Sequence, residues 1–295
     1  MISRLSILIP TYNKVCLGLV ESLQAQSSLL YDFYFEIIVA DDGSTDRSTV
    51  EANNAINNLP NCQYISRSNN SGRAAIRNFL AQKAKYEWLL YIDSNMKVIS
   101  DNFIAKYHTC HEHDVIYGGY KVERNMPQLK GNLRYIFECA SPQNENHELR
   151  LKNPYADFHT SNFIIKRNIM LAYPFDERFK KYGYEDVLFG KLLRENNIYI
   201  HHIDNVLGYD NFSSNHSFIC KTEESLHTLY QFRNELDGYS KIINYANLLN
   251  KWHISVLLKK IFPLVSKAIK NNLTGNNPNL FLFNLYKLMY FISLQ

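Results

Sequence analysis

The sequence predicts an α/β fold: a mixed, mostly parallel sheet flanked by helices, followed by a helical C-terminal extension. Three observations carry this. Short apolar runs alternate with amphipathic stretches through residues 5–92, and the runs stop at clusters of polar or acidic residues. From residue 221 onward the apolar spacing becomes that of helices.

Leu5-Ser6-Ile7-Leu8-Ile9, closed by Pro10, reads as a buried parallel strand, because a helix of five residues ending at proline would be marginal. Thr11-Tyr12-Asn13 is then a loop, and residues 14–26 form a helix with Leu19 and Leu23 on one face. Phe35-Glu36-Ile37-Ile38-Val39-Ala40 is a second strand, stopped by Asp41-Asp42-Gly43-Ser44-Thr45-Asp46. Strand, helix and strand at this spacing make a βαβ unit with a right-handed crossover. Ligands of such sheets lie beyond the carboxyl ends of the strands, so Thr11-Tyr12-Asn13 and Asp41-Asp42 can face one pocket. A carboxylate there accepts hydrogen bonds from a base N–H or ribose hydroxyls, while Tyr12 offers a packing surface. The alternative is an Asp-Gly turn and a helix cap with no ligand.

Cys62-Gln63-Tyr64-Ile65 is a third strand, and Asn69-Asn70-Ser71-Gly72-Arg73 opens the next helix. Arg73 and Arg77 are four apart and project from one helical face. A glycine-led helix N-terminus with arginines nearby can hold a diphosphate; two solvated surface arginines are the alternative. Glu87-Trp88-Leu89-Leu90-Tyr91-Ile92 is a fourth strand running into Asp93-Ser94-Asn95. One carboxylate and one amide oxygen two residues apart suit Mg²⁺ or Mn²⁺, which complete their shell with phosphate and water.

Residues 115–120 read as a strand, and residues 121–157, with Pro127, Pro142 and Pro154, as a polar, irregular cover. His159-Thr160-Ser161-Asn162 leads into the strand Phe163-Ile164-Ile165, and residues 198–206 form another strand. Glu185 and Asp186 follow a glycine turn at the predicted start of a helix. They serve either as an acidic N-terminal cap or as a general base. The extension should begin with Thr222-Glu223-Glu224 as an acidic first turn. Leu248, Leu249, Trp252, Val256 and Leu257 continue an amphipathic pattern, Pro263 kinks or restarts it, and Pro278 opens a last segment over 280–294. That segment is shorter than the roughly 20 residues of a membrane span. The extension therefore packs on the rest of the chain or lies in a membrane interface.

Composition narrows the function classes. At 295 residues and 46% hydrophobic, with 21 Tyr and 17 Phe, the chain can bury a sizeable core. A net charge of +4 without a dense Lys/Arg run argues against nucleic acid as a partner. Five widely spaced cysteines suit a reducing cytosol, and Met1-Ile2-Ser3-Arg4 leads straight into a strand without signal-peptide architecture, so a cytoplasmic location is expected. Cys110-His111 with His113 suggests a metal cluster, or a surface helix.

SILIPTYN, IIVADDGSTD, NNSGRAAIRN and LLYIDSN occur in this order and at these spacings. Together they resemble the nucleotide-binding half of family 2 glycosyltransferases, which have the A-type glycosyltransferase fold. PFDERFKKYGYEDVLFGKLL resembles the acceptor-side motif of the same family. The resemblance covers residues 1–211. It implies a Rossmann-like nucleotide half over 1–98, an acceptor half over 99–220 and a helical extension over 221–295. It also implies inverting transfer of a hexosyl or N-acetylhexosaminyl group from a nucleotide sugar, UDP-linked by preference, to a glycan or lipid-linked saccharide in surface polysaccharide synthesis.

By position, Pro10, Thr11, Tyr12 and Asn13 would line the nucleotide pocket. Asp41 or, by preference, Asp42 would contact base or ribose. Gly72, Arg73 and Arg77 would approach the diphosphate. Asp93, with Ser94 beside it, and Asn95 would face Mn²⁺ or Mg²⁺, Asn162 would lie beside the donor sugar, Asp186 would be the base and Glu185 would hold sugar or acceptor. Two places depart from the family pattern. Asp93-Ser94-Asn95 stands where Asp-x-Asp is common, and Asn205-Val206-Leu207-Gly208-Tyr209-Asp210 has no metal-binding His. These departures favour a second expectation, a nucleotide-sugar-binding protein of the same fold with weakened catalysis. A nucleotidyltransferase on a related sheet is a third. The expected location is the cytoplasm, with peripheral contact at the inner face of the membrane through the C-terminal helices.

Overall fold

The computed structural model of the chain describes residues 1–295. In chain order the first elements are β1 (Arg4–Thr11), α1 (Leu17–Ser28), β2 (Tyr34–Asp41), α2 (Arg47–Asn54), β3 (Cys62–Ser66), α3 (Arg73–Lys83) and β4 (Trp88–Ile92). There follow β5 (Met96–Lys97), α4 (Phe103–Thr109), β6 (Val115–Tyr117), β7 (Tyr120–Val122), α5 (Leu133–Cys139), α6 (His147–Arg150) and β8 (Asn162–Lys166). The rest are α7 (Arg167–Ala172), α8 (Glu185–Glu195), β9 (Ile200–His202), β10 (Leu207–Tyr209), α9 (Asn215–Gln231), α10 (Lys241–Lys251), α11 (Ile254–Thr274) and α12 (Leu280–Ser293). Two compact units result. The first comprises Met1–Glu123, Gln143–Lys180 and Phe189–Asn211; the second comprises Arg124–Pro142, Lys181–Leu188 and Phe212–Gln295.

The first unit is built on a seven-stranded sheet of order β3-β2-β1-β4-β8-β6-β9. The strands from β3 to β4 are parallel, β8 runs antiparallel to β4 and β6, and β6 pairs in parallel with β9. The expected mixed, mostly parallel sheet with flanking helices is therefore present. From β1 the chain winds outward through β2 to β3, then returns to place β4 on the other side of β1. The carboxyl ends of β1 and β4 thus flank the switch point, where sheets of this kind bind ligands.

The apolar runs explain the strands. Leu5, Ile7, Leu8 and Ile9 are buried, as is all of β4, because both sheet faces are covered. The strand continues through Pro10, which sits beyond the last β1–β4 pair at Leu8–Tyr91, so its missing N–H breaks no ladder bond to β4. One face packs Tyr91 flat on Phe163 at 4.9 Å and Phe175 on Phe189 at 4.2 Å.

Several elements differ from expectation. The strand expected over 115–120 breaks at Gly118-Gly119 into β6, in the large sheet, and β7, in a three-stranded sheet of order β5-β10-β7. The strand expected over 198–206 is reduced to β9, and β10 follows beyond it at Leu207–Tyr209. Helix α2 was not foreseen; the Asp46 side chain caps it by accepting from Ser48 N at 3.1 Å. The stretch 121–157 is less irregular than its prolines suggest, since it holds α5 and α6.

The second unit buries Leu133 of α5 with Phe218, Ile219, Leu273, Phe283, Tyr286 and Met289. Its first long helix starts at Asn215, before the expected acidic turn, because Ser214 caps Ser217 N. The Asn215 side chain also ties the helix to Gly131 O at 2.8 Å and Gly275 O at 3.0 Å. Glu223 is consequently mid-helix and accepts from Tyr286 and Lys270. Pro263 lies inside α11 without ending it; the break falls earlier, at Trp252-His253, where His253 is left-handed.

Candidate active site

Around the carboxyl ends of β1 and β2, acidic and amide side chains organise the loops. Asp41 is fully buried, accepting from Ser44 N at 2.7 Å and from the Tyr64 hydroxyl at 2.5 Å. Burial, then the bond to Asp41, pushes the Tyr64 hydroxyl pKa upward, so it stays a donor. The Asn13 side-chain Oδ1 accepts from Thr45 N and Asp46 N at 2.9 and 3.0 Å, pinning one loop to the other. Thr11 is buried, Pro10 is half-buried and Tyr12 is exposed as a free ring.

Asp42 is spent differently from its expected role. Its carboxylate accepts from Ser71 N and Oγ, from Gly72 N at 2.8 Å and from Arg67 at 3.3 Å. It therefore clamps the start of α3 to the end of β2, an assembly that local sequence could not reveal because Ser71 lies 29 residues away. Gly72 has φ +92°, and an added Cβ would stand 2.9 Å from Lys180 O, so only glycine fits this turn.

One turn into α3, Arg77 is 1% exposed and donates to Asp93 Oδ1 at 2.8 Å and to Arg73 O at 3.3 Å, with its guanidinium 5.6 Å from the Phe175 ring. Tyr91 holds the same turn by donating to Arg77 O at 2.9 Å. Arg73, by contrast, is exposed. Asp93 N donates to Ser161 O at 3.2 Å, fixing the end of β4 against the start of β8.

Beside Asp93, Asn95 Oδ1 and Ser161 Oγ are buried without a hydrogen-bond partner. A buried, unsatisfied oxygen calls for a donor or a cation. No group of three or more His, Cys, Asp or Glu side chains could hold a metal. The donors left, a carboxylate and an orphaned amide oxygen, still fit a hard divalent ion that takes its remaining ligands from phosphate and water. Ser161 was not among the expected residues; its position one residue before β8, opposite Asp93, is the signal that points to it.

Asn162 joins the same strand ends but is committed internally. It accepts from the Tyr107 hydroxyl at 2.8 Å and donates to Gly119 O and Asn205 O, both at 2.8 Å. Behind it, the wholly buried Arg150 donates to Gly118 O, Asn144 O, Ile203 O and His202 Nδ1. His202 Nε2 therefore carries the proton and donates to Pro154 O at 2.8 Å.

Burial pushes the His202 pKa down to about 4, and the Arg150 charge adds to the shift. The unfolded chain takes up this proton near pH 6.5 and the folded chain only near 4, so stability falls as pH drops through that window. The expected loss is about 3 kcal/mol from this group. Urea unfolding at pH 7 and pH 4.5 measures it, and His202→Gln should flatten the difference; an unchanged slope would refute the assignment.

In the second unit, Gly183 has φ +98° and a Cβ there would meet Ser225 Cβ at 2.7 Å, so the Tyr182–Tyr184 turn sits hard against α9. Thr228 donates to Tyr182 O, and Leu188 N closes the first turn of α8 on Tyr184 O. Glu185 is 4% exposed, whereas Asp186 is half-buried with Oδ1 accepting from Val187 N at 2.9 Å. Burial, then the Asp186 charge, raises the Tyr184 hydroxyl pKa. Asp186 thus stands in the first turn of α8, where the helix dipole favours a carboxylate.

Comparison with known proteins bears on the family and the fold. The model of the family described as Glycosyl transferase family 2 matches residues 6–172. The chain is 30% identical over 118 residues to an uncharacterized glycosyltransferase of Haemophilus influenzae, covering 37% of this chain and 45% of that one. It is 25% identical over 241 residues to the chondroitin synthase of Escherichia coli, covering 71% of this chain and 35% of that one. The chain thus spans less than half the length of these relatives. Among solved structures, S. aureus TarS 1-349 in complex with UDP-GlcNAc is similar with TM-score 0.53 and 18% identity, over 99% of this chain and 90% of that one. The mannosyltransferase PcManGT from Pyrobaculum calidifontis, in complex with GDP-Man and Mn²⁺, gives TM-score 0.54 and 13% identity, over 98% and 85%. At these identities the structural likeness is one of fold.

Proposed function

The chain belongs to glycosyl transferase family 2, and we propose that it catalyses an inverting transfer of a hexosyl or N-acetylhexosaminyl group from a UDP-sugar to a glycan or lipid-linked saccharide. The observation that carries this is the buried Arg77–Asp93 pair beside the glycine-led start of α3, at the switch point of the sheet. Helix amides and a fixed guanidinium next to a strand-end carboxylate suit a nucleoside diphosphate. The UDP-GlcNAc complex of TarS and the relation to a chondroitin synthase support UDP and a polysaccharide acceptor.

In this reading the acceptor hydroxyl attacks the anomeric carbon opposite the diphosphate and passes its proton to Asp186, while Glu185 holds sugar or acceptor. The bond from the anomeric carbon to the diphosphate oxygen breaks as the new glycosidic bond forms. The leaving group is already a stable anion, so no second carboxylate need act as acid. Arg77 and the α3 amides hold the departing charge. A divalent ion held by Asp93 and Asn95 would add positive charge at the diphosphate. Tyr12 packs on the base, and Asp41 and Asp42 shape the pocket by fixing its loops.

A panel of nucleotide sugars, assayed for hydrolysis and transfer with and without Mn²⁺, tests this. One UDP-sugar should be turned over in preference. Binding without turnover across the panel would favour the second reading, which Asn95 in place of a carboxylate supports. Release of pyrophosphate from a nucleoside triphosphate would favour a nucleotidyltransferase.

A further inference from the structure

We propose that the outward face of α10 and α11 docks on the surface of an anionic lipid bilayer. The inference is independent of the transfer reaction and rests on how the two helices distribute their side chains. Helix α10 turns Ile243 and Ala246 inward. Its opposite side should be polar in a helix that meets only water, yet Tyr245, Leu248 and Trp252 are exposed there, Trp252 at 67%. At about 100° per residue these three fall within a narrow arc. The left-handed His253 then turns the chain into α11 and leaves Trp252 at the tip.

Helix α11 repeats the pattern. Ser255, Phe262 and Ile269 are buried on one side, whereas Val256, Leu257 and Leu264 are exposed on the other, Leu264 at 81%. Lys260 and Lys267 share that outward stripe, three or four residues from these apolar positions and both exposed.

Charge decides the occupant. From residue 240 to 295 the chain has seven lysines and no Asp or Glu. Lys270 pairs with Glu223 at 2.7 Å, and Lys287 lies between the Phe137 and Phe283 rings. The other five, Lys241, Lys251, Lys259, Lys260 and Lys267, are exposed. The preceding acid, Asp237, accepts from Asn247 at 3.1 Å. A second copy of the chain would bring these lysines against their own kind, which disfavours self-association through this face. Anionic headgroups match the lysines, and the headgroup–acyl boundary takes Trp252 and the leucines. No helix is long and apolar enough to cross a membrane, so the contact is peripheral.

The test is flotation of the full chain with phosphatidylcholine vesicles and with vesicles containing phosphatidylglycerol, each with tryptophan emission recorded. Trp88 is buried, so a blue shift reports Trp252. Binding to the anionic vesicles alone, weakened by salt and accompanied by a blue shift, is expected. Trp252→Ser with Leu257→Ser, and separately Lys260→Glu with Lys267→Glu, should each lower binding by about tenfold or more. These side chains are exposed, so unchanged melting temperatures should show that both variants fold. Equal binding to both vesicle types, binding to neither, or wild-type binding by both variants would overturn the proposal. So would a dimer whose formation in the absence of lipid shields Trp252.

Discussion

Asp186→Asn is expected to lower sugar transfer by about 10²- to 10⁴-fold, the usual worth of a positioned general base, while leaving the affinity for the nucleotide unchanged. The substitution separates chemistry from structure. Asn keeps an Oδ1 that can accept from Val187 N, as Asp186 does at 2.9 Å, so the first turn of α8 retains that hydrogen bond. Gly183 against Ser225 and Tyr182 against Thr228 hold the turn whatever stands at position 186. What Asn cannot do is take a proton from an attacking hydroxyl. Steady-state transfer and nucleotide titration on the same preparation measure the two effects. Turnover at the wild-type rate would remove Asp186 from the role and leave Glu185, more deeply buried, as the next carboxylate to examine.

The legible parts of the fold are those decided locally. β1, β2, β4 and β8 are apolar runs that must be buried whatever lies beside them, and their order of polar stops already indicates a switch-point sheet. Hidden parts depend on partners far along the chain. Three-residue strands such as β9 and β10 exist because β6 and β7 are there to pair with them, and nothing in 198–209 announces two separate strands. The start of α9 is set by Asn215 reaching Gly131 and Gly275, contacts spanning 84 and 60 residues.

The site divides along the same line. Acids at strand ends stand out in the sequence. That Asp42 is consumed by Ser71 and Gly72, or that Asn162 spends its amide on Gly119 and Asn205, follows only from the tertiary arrangement. Residue type finds candidates; hydrogen-bond accounting shows which oxygens are already taken.

Arg77→Met should both destabilise the protein and disable transfer, and a second substitution can pull these effects apart. Removing one member of a buried ion pair leaves the other charge uncompensated, at a cost of about 3–5 kcal/mol. Arg77 is 1% exposed and the Asp93 side chain 17%, so solvent offers Asp93 little relief. The flat guanidinium also donates to Arg73 O and lies near Phe175, which a lysine could not reproduce. In the double variant, Arg77→Met with Asp93→Asn, no charge is stranded, and most of the lost melting temperature should return. Transfer should stay depressed by about 10²-fold or more, because a neutral pair supplies nothing to a departing diphosphate. Denaturant unfolding and turnover therefore respond differently along the series. If the double variant recovers transfer along with stability, the pair is scaffolding and the diphosphate is held by other groups. If stability returns alone, the pair serves the reaction itself, Arg77 at the diphosphate or Asp93 as the metal-facing carboxylate.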